Sequence, residues 1–366
     1  MDNFKYDYFW DVKRDISVKK KIFKEGKLNC SSNELVHPIL QEINTEFLKK
    51  IDIEKNNSYI FYPKKQQKFS ALLNIPVKNL QLYAGSDDAI KYILTAFSKK
   101  CCNLIIQMPN YENYICYAEL NKYNIVEWQV QEKGHFDINE GVKLIENNNT
   151  SIIVLTIPNG ITGTIMRKEE MDKVINDAYK KNDIVIIDQT YAPFSSIDYS
   201  SYYQEKENVI VISSCSKGLG LAGARFAYVS ASEIIIDYLS KWNGINAISA
   251  ITYQMAEYYL KEDRLKDVIN EVTIVRKDFI EYIRLISDWE VIDSHANFVL
   301  IKLFSAEEVK QLYDYFLNNN IIIKIFSDES LKKYVRITIV NTEKMNKIKD
   351  IIYDFIYNNS NTIRKC

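Results

Sequence analysis

The sequence predicts an α/β fold, a mostly parallel central sheet covered on both faces, followed by a smaller α+β domain at the C-terminus. Three observations carry that prediction. Between about residues 80 and 240, short apolar runs alternate with stretches whose apolar residues recur at helical spacing, the pattern of strands joined by crossover helices. Beyond about residue 250 the alternation gives way to a long helical stretch and then three more strand-like runs. Finally, 366 residues of which 47% are hydrophobic suffice to bury a large core, which excludes disorder as the main state.

In chain order, residues 1–45 read as an N-terminal arm and first helix, 46–250 as a large domain and 251–366 as a small one. The large domain's strand runs are 104–107, 125–130, 152–156, 184–188, 209–213 and 226–230. Between them, Ile90, Ile93, Leu94 and Phe97 share one face of a helix over 89–97, and Met171, Val174, Ile175 and Ala178 one face of a helix over 168–181. In the small domain, a helical stretch over 247–287 leads to strands at 298–303, 321–324 and 335–339, a helix over 306–318 and a final helix from 343.

Charge and composition exclude several classes. With 47 Lys+Arg against 48 Asp+Glu, the net charge is −1, so no global field holds nucleic acid or an anionic membrane. The apolar runs are too short for a membrane span, and residues 1–15 lack the apolar core of a signal peptide; the expectation is a cytoplasmic protein. Six cysteines without a CxxC pair and three scattered histidines, His37, His135 and His295, support neither a disulfide framework nor a metal site. Glycine is scarce, at ten residues, and six of them (Gly85, Gly160, Gly163, Gly218, Gly220, Gly223) lie in three short segments after strand-like runs. Those segments are where chemistry is expected.

The strand from Val209 ends in two hydroxyls, Ser214 and Ser216, followed by Lys217, a group of glycines and Arg225. Hydroxyls with an arginine suit a phosphate monoester, because the guanidinium offers a fork of donors. A lysine beside that pocket suits a Schiff base with an aldehyde when burial and a nearby cation lower its pKa. Together these describe a pyridoxal 5'-phosphate (PLP) site; a solvated surface loop is the plain alternative. Gly218, Gly220 and Gly223 also spell GxGxxG, but a nicotinamide site needs a helix to open there, and Arg225 and a new strand follow at once.

Further segments fit the same ligand. Asp188 ends the run 184–188, at the carboxyl edge where open α/β sheets bind ligands. There it can pair with a pyridine nitrogen, with Tyr191 reaching the ring's phenolate oxygen; a helix cap or turn residue looks the same. Asn159, after Pro158, offers that oxygen an amide donor, or makes an ordinary turn. Gly85-Ser86-Asp87 opens the helix over 89–97, where free backbone N–H groups hold phosphate, although Ser86 with acids in the first turn is also simple capping. Tyr111 stands past a strand end, placed to stack on a ring, in a chain of 26 tyrosines. Tyr62-Pro63 reads equally as a surface turn. Arg336, inside an apolar strand, either grips a substrate carboxylate or phosphate or faces water from an edge strand, since burying it alone is costly.

In this order, Tyr62-Pro63, Gly85-Ser86-Asp87, Pro109-x-Tyr111-x-x-Tyr114, Pro158-Asn159-x-x-Thr162-Gly163, Asp188-x-x-Tyr191, Ser216-Lys217-x-x-Gly220-Leu-Ala-Gly-x-Arg225, Ala296-Asn297-Phe298 and Arg336-Ile-Thr resemble the fold-type I PLP-dependent aminotransferases of class I/II, and among them the histidinol-phosphate aminotransferase-like subgroup. The resemblance spans nearly the whole chain. It implies PLP as cofactor, Lys217 as the Schiff-base lysine and proton carrier, and Asp188 as the pyridinium partner. Asn159 and Tyr191 would hold the phenolate oxygen and Tyr111 would stack on the ring. Ser214, Ser216, Arg225 and the backbone at Gly85, Ser86 and Asp87 would hold the phosphate. Tyr62 would reach the cofactor of a neighbouring subunit, which implies a homodimer with shared sites. Arg336 would bind the acidic group of the substrate, with Lys324 and Asn33 on the substrate side.

The sequence departs from the family pattern there: Lys324 stands where an arginine usually contacts phosphate, and Asn33-Glu34 fits the family's N-terminal motif loosely. The expected activity is amino-group transfer from a glutamate-like donor to a small oxo-compound, phosphorylated or not. The runner-up is a decarboxylase of a phosphorylated amino acid on the same scaffold. A PLP-binding transcriptional regulator would need a DNA-binding domain, and only about 45 residues precede the fold, without a recognition-helix pattern.

Overall fold

The computed structural model of the chain describes residues 26–244 and 246–363; the part of the expected arm over 1–25 lies outside the described residues. Its strands are β1 (Leu28–Cys30), β2 (Leu80–Tyr83), β3 (Asn103–Met108), β4 (Asn124–Gln129), β5 (Ser151–Thr156), β6 (Ile184–Asp188), β7 (Val209–Ser214), β8 (Ala227–Ala231), β9 (Glu290–Val291), β10 (Phe298–Lys302), β11 (Ile321–Ile325) and β12 (Tyr334–Thr338). Seven of them form one sheet in the order β2-β8-β7-β6-β5-β3-β4, and five form another in the order β1-β11-β12-β10-β9. In the larger sheet only β8 runs against its neighbours; β4, β3, β5, β6 and β7 pair in parallel.

The continuous apolar runs of β5 to β7 follow from burial on both faces. Ile152, Val154, Ile186, Ile210 and Ile212 pack under the helix Ser86–Phe97, against its Ile90, Ile93 and Leu94. Their alternates Ile153, Leu155, Val185, Ile187, Val209 and Val211 pack on the other face against Met171, Val174 and Ile175 of the helix Lys168–Lys180. In register, Thr156 lies beside Asp188 and Asp188 beside Ile212. The carboxyl ends of three parallel strands therefore meet at one edge.

Three expectations change. The helical stretch over 247–287 is two helices, Ala250–Leu260 and Arg264–Ile286. Arg264 marks the break, its guanidinium donating to Glu262 and to Glu46 on the helix Ile39–Leu48; a long-range ion pair, invisible to periodicity, holds the corner. The N-terminal arm is not separate: β1 pairs in parallel with β11, Leu28 to Ile321 and Cys30 to Ile323. β1, β2 and β9 span only 3, 4 and 2 residues, too short to show a period. The Gly218-Gly220-Gly223 segment opens no long helix; the helix Cys215–Gly218 has four residues and β8 follows, which removes the nicotinamide reading. No helix among the described residues is long and apolar enough to cross a membrane.

Candidate active site

Lys217 lies in the short helix after β7, and Ser214 caps it by accepting the Ser216 N–H at 3.2 Å. The lysine amine donates to the Ser32 carbonyl at 2.8 Å. Burial, aided by the charges of Arg336 and Arg225 and opposed by Glu34, holds the Lys217 pKa down at about 8. At neutral pH a usable fraction of this amine is therefore unprotonated.

Asp188, at the end of β6, is 4% exposed. Its Oδ1 accepts from the Thr190 N–H at 3.0 Å and the Thr190 hydroxyl at 2.7 Å, and its Oδ2 from the Tyr114 hydroxyl at 3.0 Å. Burial pushes its pKa up while those donors pull it back. Tyr191 sits three residues on, buried edge-on against Phe298 at 5.3 Å, its hydroxyl accepting from Asn33 Nδ2 at 2.9 Å. Burial raises its phenol pKa against the opposing effect of Arg336 and Asn33.

Arg225 and the start of the helix Ser86–Phe97 form a cradle. Gly85 has φ +94°, and a Cβ there would stand 2.4 Å from Arg225 Nη2, so glycine alone lets the guanidinium lie against that backbone. Arg225 donates to Asp87 at 3.2 Å; Asn113 donates to the other Asp87 oxygen and to the Tyr111 hydroxyl, both at 2.9 Å. The Ser216 hydroxyl is buried with no hydrogen-bond partner among the described residues. A free helix N-terminus, an arginine and an unsatisfied hydroxyl fit a phosphate monoester. The site thus has the donors that PLP requires.

Asn159 makes the turn that was its plainer reading: its Oδ1 accepts from Ile161 and Thr162 N–H at 2.9 and 3.0 Å, while its amide donates to Pro109 O at 3.2 Å. Arg336, on β12, is 8% exposed and no edge residue. It donates to Gly160 O at 2.7 Å and Ser31 O at 3.2 Å and lies over the Phe298 ring at 4.9 Å. Lys324 is its direct cross-strand neighbour on β11, so both side chains point to one face. Asn33, at φ 55°, is held by Thr338 and Asn297 as well as by Tyr191.

Lys217, Asp188, Tyr191, Arg336 and Asn33 are thus brought together, with Ser214, Ser216, Gly85, Ser86, Asp87, Tyr111, Asn159 and Arg225 around them. Tyr62 is not in the group: its hydroxyl accepts from the Leu82 N–H at 3.1 Å, and burial lifts it to about 12. Sequence reasoning gave no role to Tyr114, Thr190 or Ser32. Tyr114 stood in the motif Pro109-x-Tyr111-x-x-Tyr114, but nothing in the sequence pointed to its partner.

The model of the family described as aminotransferase class I and II matches residues 25–352. The chain is 29% identical over 322 residues to a histidinol-phosphate aminotransferase of Thermoanaerobacter sp. (strain X514), covering 85% of this chain and 90% of that protein. The crystal structure of the histidinol-phosphate aminotransferase from Clostridium acetobutylicum superposes with a TM-score of 0.80 at 23% identity, over 90% of this chain and 99% of that one. L-threonine-O-3-phosphate decarboxylase from Porphyromonas gingivalis shares the fold, with a TM-score of 0.77 at 18% identity over 90% and 99%. With the family model matching it over nearly its full length, and with a lysine, a buried carboxylate and an arginine beside a helix N-terminus brought to one sheet edge, this chain belongs to the aminotransferase class I and II family of PLP-dependent enzymes.

Proposed function

We propose that the enzyme moves an amino group between a glutamate-like donor and a small phosphorylated oxo-compound resembling the ketone of histidinol phosphate. Two features support this reading: the relatives at 24–29% identity are histidinol-phosphate aminotransferases, and Arg336 and Lys324 stand side by side as paired cations on the substrate side. The observation that carries it is the buried Lys217 amine, which donates to the Ser32 carbonyl at 2.8 Å and whose pKa burial, with the charges of Arg336 and Arg225, lowers to about 8.

When bound, PLP supplies the aldehyde that takes up an amino group and the ring that accepts electrons from the substrate Cα. In our reading the protein's residues do the rest. Arg225, Ser214, Ser216 and the backbone at Gly85, Ser86 and Asp87 hold the phosphate, and Tyr111 covers the ring. Asp188 keeps a proton on the ring nitrogen. Tyr191 and Asn159 orient the ring oxygen, and Asn33 holds the Tyr191 hydroxyl in place. The Lys217 amine would act as the general base that takes and carries the substrate Cα proton. Arg336 binds the substrate carboxylate bidentately, and Lys324 meets the distal anionic group.

Tyr62 serves the site of a second subunit in this account, making the enzyme a homodimer. The exposed apolar side chains flanking it, Ile53, Tyr59 and Phe61, suit such an interface. The five described cysteines are all free, which suits a reducing, cytoplasmic setting. We also place the start of the smaller unit beyond Leu260, because Ala250–Leu260 packs with Phe69, Leu80, Leu82 and Phe226 of the larger one.

The test is direct. PLP-loaded protein given glutamate and the ketone of histidinol phosphate should yield 2-oxoglutarate and histidinol phosphate. Carbon dioxide released from a phosphorylated amino acid, with no oxo-acid formed from any donor, would replace this reading with the lyase.

A further inference from the structure

We propose that Tyr114 is a positioning residue that sets how the Asp188 carboxylate meets the ring nitrogen of PLP; this rests on the reading of Asp188 given above. Tyr114 lies in the helix Glu112–Leu120 and is fully buried under β3, β5 and β6 beside Leu104, Ile106, Val154 and Ile186. In that apolar setting a phenylalanine would fill the same volume. The hydroxyl donates to Asp188 Oδ2 at 3.0 Å.

The count of acceptor positions shows what this contact does. An ionised carboxylate offers about four lone-pair positions. Thr190 uses both on Oδ1, through its N–H and its hydroxyl, and Tyr114 uses one on Oδ2. The remaining acceptor position is therefore on Oδ2, the oxygen that Tyr114 holds, and a ring N–H must share that atom with the phenol. Donation by Tyr114 draws electron density from the shared oxygen, so the proton between Asp188 and the ring stays on the ring nitrogen. That is the state in which the ring accepts electrons.

The surroundings fix the direction of the effect. Burial pushes the Asp188 carboxyl up, as does the negative charge of Asp87 on the helix Ser86–Phe97, while Thr190 and Tyr114 pull it down. Tyr191, the other titratable group facing it, is itself raised by burial, and Arg225 partly balances Asp87. Burial and the charge of Asp188 hold the Tyr114 phenol well above its ordinary range, so at working pH it acts as a donor. Without its hydroxyl, Asp188 would take up a proton at higher pH and lose its charge before the cofactor could pair with it.

The experiment compares two ligands on PLP-stripped protein: PLP, and its 1-deaza analogue, in which a C–H replaces the ring nitrogen. Dissociation constants follow from fluorescence quenching across a pH series, with thermal melting of the stripped protein as a folding check. Wild type should prefer PLP. Tyr114→Phe should weaken PLP about tenfold, as expected for losing a hydrogen bond to a charged group, and leave the analogue's affinity unchanged. The acid limb of PLP binding should also move to higher pH. Equal weakening of both ligands, or of neither, overturns the proposal and leaves Asp188 as partner. A wild type that does not distinguish the ligands overturns the Asp188 reading as well. If Tyr114→Phe does not fold, 3-fluorotyrosine at position 114, a stronger donor, should move the acid limb of PLP binding to lower pH; an unmoved limb overturns the proposal.

Discussion

The Lys217 amine and the Ser32 carbonyl lie 2.8 Å apart across 185 residues of sequence. Ser32 follows β1, the strand that ties the N-terminal segment to the smaller sheet. The preceding carbonyl, of Ser31, accepts from Arg336 at 3.2 Å. One short stretch of chain therefore touches both the lysine expected to move protons, just past β7 of the larger sheet, and the arginine expected to bind substrate, on β12 of the smaller one.

Replacing Lys217 with alanine removes the amine while leaving its short helix capped by Ser214. Turnover should fall by at least about a thousandfold, within the range for loss of a positioned acid–base group, and the far-ultraviolet circular dichroism should be unchanged. Borohydride treatment of PLP-loaded wild type followed by peptide mapping should place the phosphopyridoxyl label on Lys217; a label on any other lysine would refute the assignment.

The lowered pKa of Lys217 gives a pH signature. The unprotonated amine is the nucleophile, so its reaction with a small aldehyde or acylating reagent in PLP-stripped protein should rise through about pH 8, whereas ordinary lysines titrate near 10.4. Glu34→Gln removes a charge that raises this pKa and should move the midpoint down; Arg336→Gln removes one that lowers it and should move the midpoint up. Mass spectrometry of the Lys217 peptide against pH reads both shifts.

Arg336→Lys keeps the charge and loses the planar fork. KM for carboxylate donors should rise about 10- to 100-fold, in line with hydrogen bonds to charged groups, with a smaller change in kcat. Steady-state kinetics on glutamate separates the two; an unchanged KM would place the substrate carboxylate elsewhere.

At Gly85 a methyl group meets both a positive φ and the Arg225 guanidinium at 2.4 Å. Gly85→Ala should destabilise the protein by about 1 kcal/mol or more through backbone strain. Because Arg225 is displaced from the helix start, PLP should also bind more weakly. Equilibrium dialysis measures the second effect, and wild-type PLP affinity in this variant would show that the cradle does not hold the phosphate.

Much of the site can be read in one dimension because its parts are local. Asp188, Ser214 and Lys217 each end or follow an apolar run buried on both faces, and parallel pairing sends those ends to one edge whatever the rest of the chain does. The glycines mark the turns: with only ten in the chain, those that remain stand where backbone or guanidinium comes close, as at Gly85. The partners of these groups were not readable. Tyr114 stood in a motif without a visible partner, and β1, Leu28-Asn29-Cys30, is too short and too polar to show a strand pattern.

The sequence by itself determined the alternation of the longer strands and helices, the lysine and the carboxylate at a strand end as candidates, and the family, because hydrophobic periodicity and turn chemistry act between near neighbours. Tertiary structure alone decided that Tyr114 donates to Asp188, that Asn33 holds Tyr191, that Ser32 meets Lys217, and that Arg336 is buried between Phe298 and two carbonyls. The Tyr114 contact depends on how a helix packs on the larger sheet and the others on how the two sheets are set against each other; burial and hydrogen bonding between distant residues have no period along the chain.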